Sequence, residues 1–200
     1  MTETGRRTAT KRPMSLERRE EILQSLEDIV LSEGFAALSS DEIARRLQCS
    51  KATLYAVASS REQLIIQTFE RAFRRRVAAV AERVARATGA RDRIAVYISA
   101  LRDEMSSMWR KCYEDMRAFE GTDAAYRRVT HASATRLEQY IAEGIDDGVF
   151  RPGSAKFAGL AVHLLLDAVL DGTVWDEVGL SDADAYVEIT ALLLDGLSIT

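Results

Sequence analysis

Helical periodicity is the feature that most constrains the fold of this 200-residue chain. Apolar residues recur every three or four positions, and no segment alternates at period two for long enough to predict a strand. The first helical run lies past Pro13; its apolar face consists of Ile22, Leu23, Leu26, Ile29 and Val30. Proline occurs only at positions 13 and 152, so it interrupts few helices. The pattern predicts an all-α protein with a small N-terminal unit on a larger helical body.

Capping residues predict two short helices near the N-terminus. Gly34 ends the first helix, and Ser39 with Glu42 forms a capping box that opens the second. The inward face of this second helix consists of Ile43, Ala44 and Leu47. After a three-residue break, Ser50 caps a further short helix over 51–57.

Longer helices follow. A second capping box, Ser59 with Glu62, opens a helix that stops near Gly89 and whose inward residues are Leu64, Ile65, Phe69, Phe73, Val77, Val80 and Val84. Breaks at Gly121, Asp147-Gly148 and Pro152-Gly153 divide the remainder. The predicted helices cover 91–111, 112–120, 123–146, 154–177 and 182–197.

Charge is distributed unevenly along the chain. Residues 1–88 hold 16 Lys and Arg against 12 Asp and Glu, whereas the remaining 112 residues hold 11 against 19. Residues 1–13 are predicted to form a basic flexible arm. A basic N-terminal part on an acidic body indicates a polyanionic partner at one end only.

Composition also indicates the compartment. Two cysteines, Cys49 and Cys112, are too few for a disulfide framework and fit a reducing compartment. No apolar run follows the basic start, so no secretory signal is predicted, and the apolar stretch 160–170 is too short to span a bilayer. We therefore expect a cytoplasmic protein without a membrane partner.

Two short helices joined by a three-residue turn, with a longer helix before them, form a helix-turn-helix signature. An α-helix fits the major groove of DNA, where base edges are distinguishable. With Leu54 facing inward, the residues left to contact DNA are Lys51, Ala52, Thr53, Tyr55 and Ala56. Supporting phosphate contacts are predicted from the helix caps and the start of the next helix, namely Ser39, Ser50, Ser60 and Arg61.

These residues resemble those of the TetR family of transcriptional regulators. The resemblance lies in the Ser50-Lys51-Ala52-Thr53-Leu54-Tyr55 run and in Ser60-Arg61-Glu62-Gln63-Leu64, and it covers about residues 16–75. It implies a helix-turn-helix domain at 14–60 and a helical ligand-binding and dimerisation domain at 61–200. The chain departs from the family pattern at Gln48, where the turn usually has glycine. It departs again at Ala56-Val57-Ala58, which replaces an aromatic pair.

The resemblance implies a homodimer built through helices near 154–177 and 182–197, with the apolar residues Leu160, Leu164, Val169 and Leu192 to Leu194. Such a dimer binds a palindromic site on double-stranded DNA, and a small apolar or amphipathic effector releases it. The implied pocket lies between helices 91–111, 112–120 and 123–146, closed by 154–177. Its candidate residues are Met105, Met108, Trp109, Cys112, Tyr113, Met116, Phe119, Tyr126, His131, Tyr140 and His163. The same Met and aromatic residues also fit an ordinary core.

Other functions have weaker support in the sequence. It contains no phosphate-cradling glycine loop, paired-histidine zinc motif or nucleophile elbow, so we predict neither an enzyme nor a cofactor or metal site. His163 and Asp167, four residues apart, fit either a buried hydrogen-bonded pair or a contact to a polar ligand head or a metal. The alternative function is a helical small-molecule-binding dimer with a degenerate DNA-reading head. The residues that suggest it are Ala56-Val57-Ala58.

Overall fold

A computed structural model describes residues 14–108 and 110–199. The predicted basic arm at 1–13 and Trp109 lie outside the described residues. The helices are α1 (Leu16–Glu33), α2 (Ser40–Arg46), α3 (Lys51–Val57), α4 (Arg61–Val84), α5 (Ala90–Met105), α6 (Arg110–Ala118), α7 (Glu120–Asp146), α8 (Ala155–Leu170), α9 (Thr173–Val178) and α10 (Asp182–Leu197). Over these residues the fold is all-α, as the periodicity predicted, and an isolated bridge pairs Phe150 with Ser198.

Serine caps begin the helices of the N-terminal unit. The hydroxyls of Ser39 and Ser50 accept hydrogen bonds from the backbone N–H groups three residues later, as predicted. At α4 the prediction was wrong by one residue, because Ser60 rather than Ser59 accepts from the N–H of Gln63 at 3.2 Å. The capping box at Ser39 is also only half formed, since the Glu42 carboxylate pairs with arginines of its own helix.

Four predicted boundaries in the body differ from the structure. α4 ends at Val84, and the helix expected at 91–111 ends at Met105. Gly121 lies inside the first turn of α7 instead of separating two helices. The helix expected at 154–177 is divided into α8 and α9, because Gly172 adopts a left-handed conformation with φ 86°.

Two apolar clusters form the core. The first joins α1 to α4 with α6 and the start of α7, around Leu26, Ile65 and Phe69. The second joins the end of α4 with α5, α7, α8 and α10, around Ile98 and Ile141. Because α4 and α7 contribute to both clusters, they connect the N-terminal unit to the body. The boundary at residue 60 stays a prediction.

No helix in the described ranges is both long and apolar enough to cross a membrane.

One residue of α4 that was predicted to face inward does not. Val77 is 54% exposed, because the side of α4 that carries it faces a cavity rather than a packed core.

Candidate nucleic-acid interface and ligand cavity

α3 is held firmly by its buried side. Leu54 and Val57 are almost fully buried, and Ala58, which follows the helix, is buried too. The Ser50 hydroxyl caps the helix through the N–H of Thr53 at 3.0 Å and also lies 2.9 Å from the Thr53 hydroxyl. The small residues Val57 and Ala58 therefore pack against the core in place of the aromatic pair.

The opposite side of α3 is open to solvent. Lys51, Ala52, Tyr55 and Ala56 are exposed, and Thr53 is half-buried. Tyr55 is 49% exposed, and its hydroxyl donates to the Ser40 hydroxyl at 3.3 Å across to α2. Tyr55 is thus a surface residue whose ring is oriented by α2, and the other predicted DNA-contacting residues of α3 lie on the same helix beside it.

Carboxylates of α2 pair with cations near this face. Lys51 Nζ lies 2.7 Å from an Asp41 oxygen, and this hydrogen bond raises the pKa of Lys51. Arg45 and then Arg46 hydrogen-bond to Glu42 and lower its pKa to about 2. Both arginines of α2 are therefore held by ion pairs, while Lys51 shares its charge with an exposed neighbour.

The turn between α2 and α3 has an unusual backbone. Gln48 has φ 50°, and among the described residues it is the non-glycine residue with positive φ. The sequence had singled out this position, because the TetR family usually has glycine there. A side chain in the left-handed region is strained, so this turn is held by its neighbours, including the N–H of Cys49, which donates to the carbonyl of Ala44 at 3.0 Å.

Arg61, a predicted phosphate contact, is turned into the protein. Its guanidinium donates to the backbone carbonyls of Leu38 and of Phe35, the latter at 2.5 Å. This bonding connects the start of α4 to the segment before α2. The backbone N–H groups at the N-terminus of α4 remain the feature there that suits a phosphate.

Asp115 of α6 is an anchor that the sequence did not reveal. It is buried, and its Oδ2 accepts hydrogen bonds from the N–H groups of Phe35 and Ala36, each at 2.7 Å. Burial opposes ionisation, but the hydrogen bonds from Lys111, Ala36 and Phe35 together lower the pKa of Asp115. An ionised carboxylate thus joins α6 to the loop between α1 and α2.

The body contains a cavity of about 670 Å³ between α4, α5, α7 and α8. Its lining runs along α7 from Tyr126 to Tyr140, which at 1.5 Å per residue is about 21 Å. One wall, on α4, is mainly apolar and carries Phe73, Val77, Val80, Ala81 and Val84 together with Arg76. α4 had been predicted only as core, because its periodicity does not distinguish a packed neighbour from an empty space.

Four predicted ligand residues line the cavity: Met105, Tyr126, Tyr140 and His163. The structure places six others elsewhere. Cys112, Tyr113 and Met116 of α6 are buried in the first cluster, with Met108 and Phe119 packed against it, and His131 is exposed. α6 therefore packs towards α1 and not towards the cavity, which corrects its predicted place in the pocket wall.

The carboxylate of Asp167 lies in the cavity wall next to Tyr126. The Tyr126 hydroxyl donates to one of its oxygens, and His163 Nε2 lies 3.8 Å from the other. Burial and then the bond to Asp167 raise the pKa of Tyr126, so this hydroxyl stays protonated. His163 and Asp167 are half-buried and face the cavity, so the predicted buried hydrogen-bonded pair is not formed.

A buried ion cluster lies between α1 and α4. Glu27 of α1 is 4% exposed and pairs with Arg71 at 2.7 Å, Arg76 at 3.3 Å and Arg75 at 3.4 Å. Arg76 also donates from Nε to the carbonyl of Glu104 at 2.9 Å and lines the cavity. One guanidinium therefore touches both α1 and the cavity wall.

Several apolar side chains of α8 and α10 lack cover from the rest of the chain. Phe157, Leu160 and Leu164 form a stripe on α8, and Leu192 is exposed on α10. Val169 and Leu194, which were assigned to the same interface, are buried inside the chain.

Metal-ligating side chains are scattered over the part of the chain that the structure describes: no group of three or more His, Cys, Asp or Glu is arranged to hold a metal ion there.

Helix α3 is packed against the core on one side and exposed on the other. This arrangement is typical of helix-turn-helix proteins of the DNA-binding class.

Comparison with known proteins identifies the N-terminal domain. Residues 22–68 match the model for bacterial regulatory proteins of the tetR family. No curated protein matches the chain. The chain therefore carries a tetR-family domain in its N-terminal part, and this domain supports a DNA-binding regulator.

Solved structures share the fold across both parts of the chain. A transcriptional regulator from Saccharomonospora viridis in complex with choline is 16% identical, with a TM-score of 0.80 over 93% of this chain and 100% of that one. A TetR transcription regulator from Haloarcula marismortui is 18% identical, with a TM-score of 0.78 over 92% and 99%. A TetR-family protein from a Rhodococcus species is 19% identical, with a TM-score of 0.74 over 90% and 98%.

Proposed function

We propose that this regulator is a homodimeric repressor that binds a palindromic operator through α3 and is released when a small apolar or amphipathic molecule enters the cavity. The observation that carries the proposal is α3 itself, whose buried side fixes its orientation while its other side is exposed. Both protomers of a two-fold dimer present this helix, so the two half-sites lie about 34–36 Å or a multiple apart along the DNA.

The exposed stripe on α8 supports the dimer. Three large apolar side chains at spacings of three and four lie on one side of the helix, and exposed apolar patches of this kind favour association. Leu164→Glu is expected to convert the dimer to a monomer in sedimentation equilibrium. Val149→Glu is the matched control, because Val149 is also exposed but lies outside the stripe, in the turn after α7. A dimeric Leu164→Glu protein would place the interface elsewhere.

The cavity and the Glu27 cluster support effector control. A ligand near Arg76 acts on the same guanidinium that pairs with Glu27 of α1, so its binding favours one position of the N-terminal unit over another. Such a shift is limited by the difference in ligand affinity between the two positions. The choline complex of the Saccharomonospora viridis protein supports a small-molecule effector for this fold.

Binding selection on random and genomic DNA fragments at two salt concentrations tests the DNA-binding part. An enriched palindrome whose affinity falls steeply with salt is expected, because phosphate contacts release counterions. Transcription of a reporter gene from a promoter that contains the enriched palindrome should rise when the protein is removed. Failure of a folded dimer to enrich any sequence would favour the alternative, a small-molecule-binding dimer with a degenerate reading head.

A pair of variants separates a DNA role for Lys51 from a structural one. Lys51→Ala should weaken binding to operator and random DNA alike, since the lysine neutralises phosphate. Asp41→Asn should strengthen both, because it frees Lys51 from its 2.7 Å ion pair and removes a negative charge beside the DNA. Arg86→Ala is the control and should leave DNA binding unchanged, because Arg86 is an exposed cation beyond the end of α4 and away from α3. If Asp41→Asn weakens binding, α3 is not oriented towards DNA in this way.

A further inference from the structure

We infer that the cavity binds an elongated organic cation, with its ammonium group at Asp167 and its apolar body along α4. This inference rests on the proposed function of the cavity as an effector site.

Asp167 places a negative charge in the cavity wall. Its side chain is 27% exposed and lies in the cavity wall, and its partners among the described residues are a tyrosine hydroxyl and a histidine. Neither supplies a permanent positive charge, and a half-buried carboxylate without a cation is costly. A ligand that carries a positive charge offsets this cost when it binds.

The basic residues of the wall are committed elsewhere. Arg76 pairs with Glu27, Arg93 with Glu143 at 2.9 Å, and Arg128 with Glu70 at 3.1 Å. Arg136 has no ion-pair partner among the described residues, but it is exposed and lies ten residues from Tyr126 on α7, about 15 Å along the axis. Arg117 lies over the ring of Tyr126 and pairs with Asp123. These arginines therefore leave the charge of Asp167 unneutralised.

Aromatic rings surround the same end of the cavity. Tyr126 and Phe73 have their ring centroids 6.2 Å apart, and both line the wall together with Tyr186. Aromatic faces attract cations, most strongly where water is excluded. A quaternary ammonium therefore fits this end of the cavity better than a carboxylate does.

The rest of the cavity accommodates an apolar body. From Phe73 to Val84 the wall on α4 extends about 17 Å and is lined mainly by valine and alanine. Leu101, Leu166 and Leu170 face the same space from α5 and α8. The shape thus suits a chain-like molecule with one charged end.

Isothermal titration calorimetry of the full chain with matched probes tests the inference. Decyltrimethylammonium should bind at least about tenfold more tightly than decanoate, which has the same chain and the opposite charge, and more tightly than tetramethylammonium, which has no chain. Asp167→Asn should weaken binding of decyltrimethylammonium about tenfold and remove the preference over decanoate. Asp146→Asn, an exposed carboxylate near the far end of α7, should change neither. Tyr126→Phe loses the hydrogen bond between Tyr126 and Asp167 but keeps the carboxylate, so it should keep the preference for the cation. The two variants together separate the loss of the charge from a disturbance of the local fold.

Tighter binding of decanoate, or an Asp167→Asn protein that still prefers the cation, would overturn the inference. Anisotropy of labelled operator DNA in the same titrations separates it from the proposed function. If decanoate binds and releases DNA, effector control stands and the cationic ligand is refuted. If decyltrimethylammonium binds through Asp167 without releasing DNA, the cation site stands and release by this ligand is refuted.

Discussion

Replacing Asp115 tests whether one buried carboxylate fastens the N-terminal unit to α6. In Asp115→Asn the amide oxygen can still accept from Phe35 and Ala36, but the charge is lost. Charge-assisted hydrogen bonds are about twice as strong as neutral ones, so losing about 1 kcal/mol at each of the two N–H groups lowers the free energy of unfolding by about 2 kcal/mol. Asp115→Ala leaves both N–H groups without a partner, at about 1–3 kcal/mol each, for a loss of about 4 kcal/mol.

Urea denaturation followed by circular dichroism measures both variants at pH 7. Glu114→Gln is the control, because Glu114 is exposed and its oxygen lies 3.8 Å from Lys111, so its loss should cost less than about 0.5 kcal/mol. Equal losses for Asp115→Asn and Asp115→Ala, or an Asp115→Asn loss as small as the control, would refute the account of Asp115 as a charged acceptor.

The same carboxylate predicts a pH dependence. Because the pKa of Asp115 is lowered in the folded protein, its contribution is complete above the unfolded pKa of about 3.9 and is lost as the pH falls through the folded value. The stability difference between the wild-type protein and Asp115→Asn should therefore be constant from pH 8 to about pH 5 and narrow below it. A difference that widens with acid would contradict the lowered pKa.

Three further predictions concern separate parts of the chain. Gln48→Gly should raise the free energy of unfolding by about 1 kcal/mol in the same assay, because glycine adopts φ 50° without strain; a loss of stability would show that the Gln48 side chain is needed. Cys112 should resist iodoacetamide at pH 8 while half-buried Cys49 reacts first, since burial and then Asp115 raise the pKa of Cys112 to about 12; equal labelling in mass spectrometry would contradict its burial. Deleting residues 1–13 should lower affinity for random DNA and flatten its salt dependence, and an unchanged slope would show that the arm does not contact DNA.

Local rules were sufficient where the determinant lies within a few residues. The caps at Ser39 and Ser50 and the turn at Gln48 follow from side chains and backbone angles that are close in sequence. The burial of Leu54 follows from helical spacing, and it leaves the other side of α3 exposed. The sequence alone therefore predicted the all-α class and the helix-turn-helix.

The cavity could not be predicted in the same way. Helical spacing identifies which side of a helix turns inward. It does not show whether side chains of other helices fill the space that this side faces. The sequence predicted Val77 in the core and Met116 in the ligand pocket, yet Val77 borders the cavity and Met116 is fully buried in the core. Only the packing of α4 against α5, α7 and α8 determined which inward side chains meet an open space.

Long-range polar contacts were equally hidden. Asp115 bonds to backbone groups 79 and 80 residues away, and Glu27 pairs with arginines more than 40 residues away. In sequence each is one carboxylate among 31 acidic residues, and most of these lie on solvated helix faces. The sequence by itself determined the all-α class and the position of the helix-turn-helix with its exposed helix α3. The tertiary structure decided which charges are buried and which helices enclose the cavity, because both depend on what distant segments place opposite each side chain.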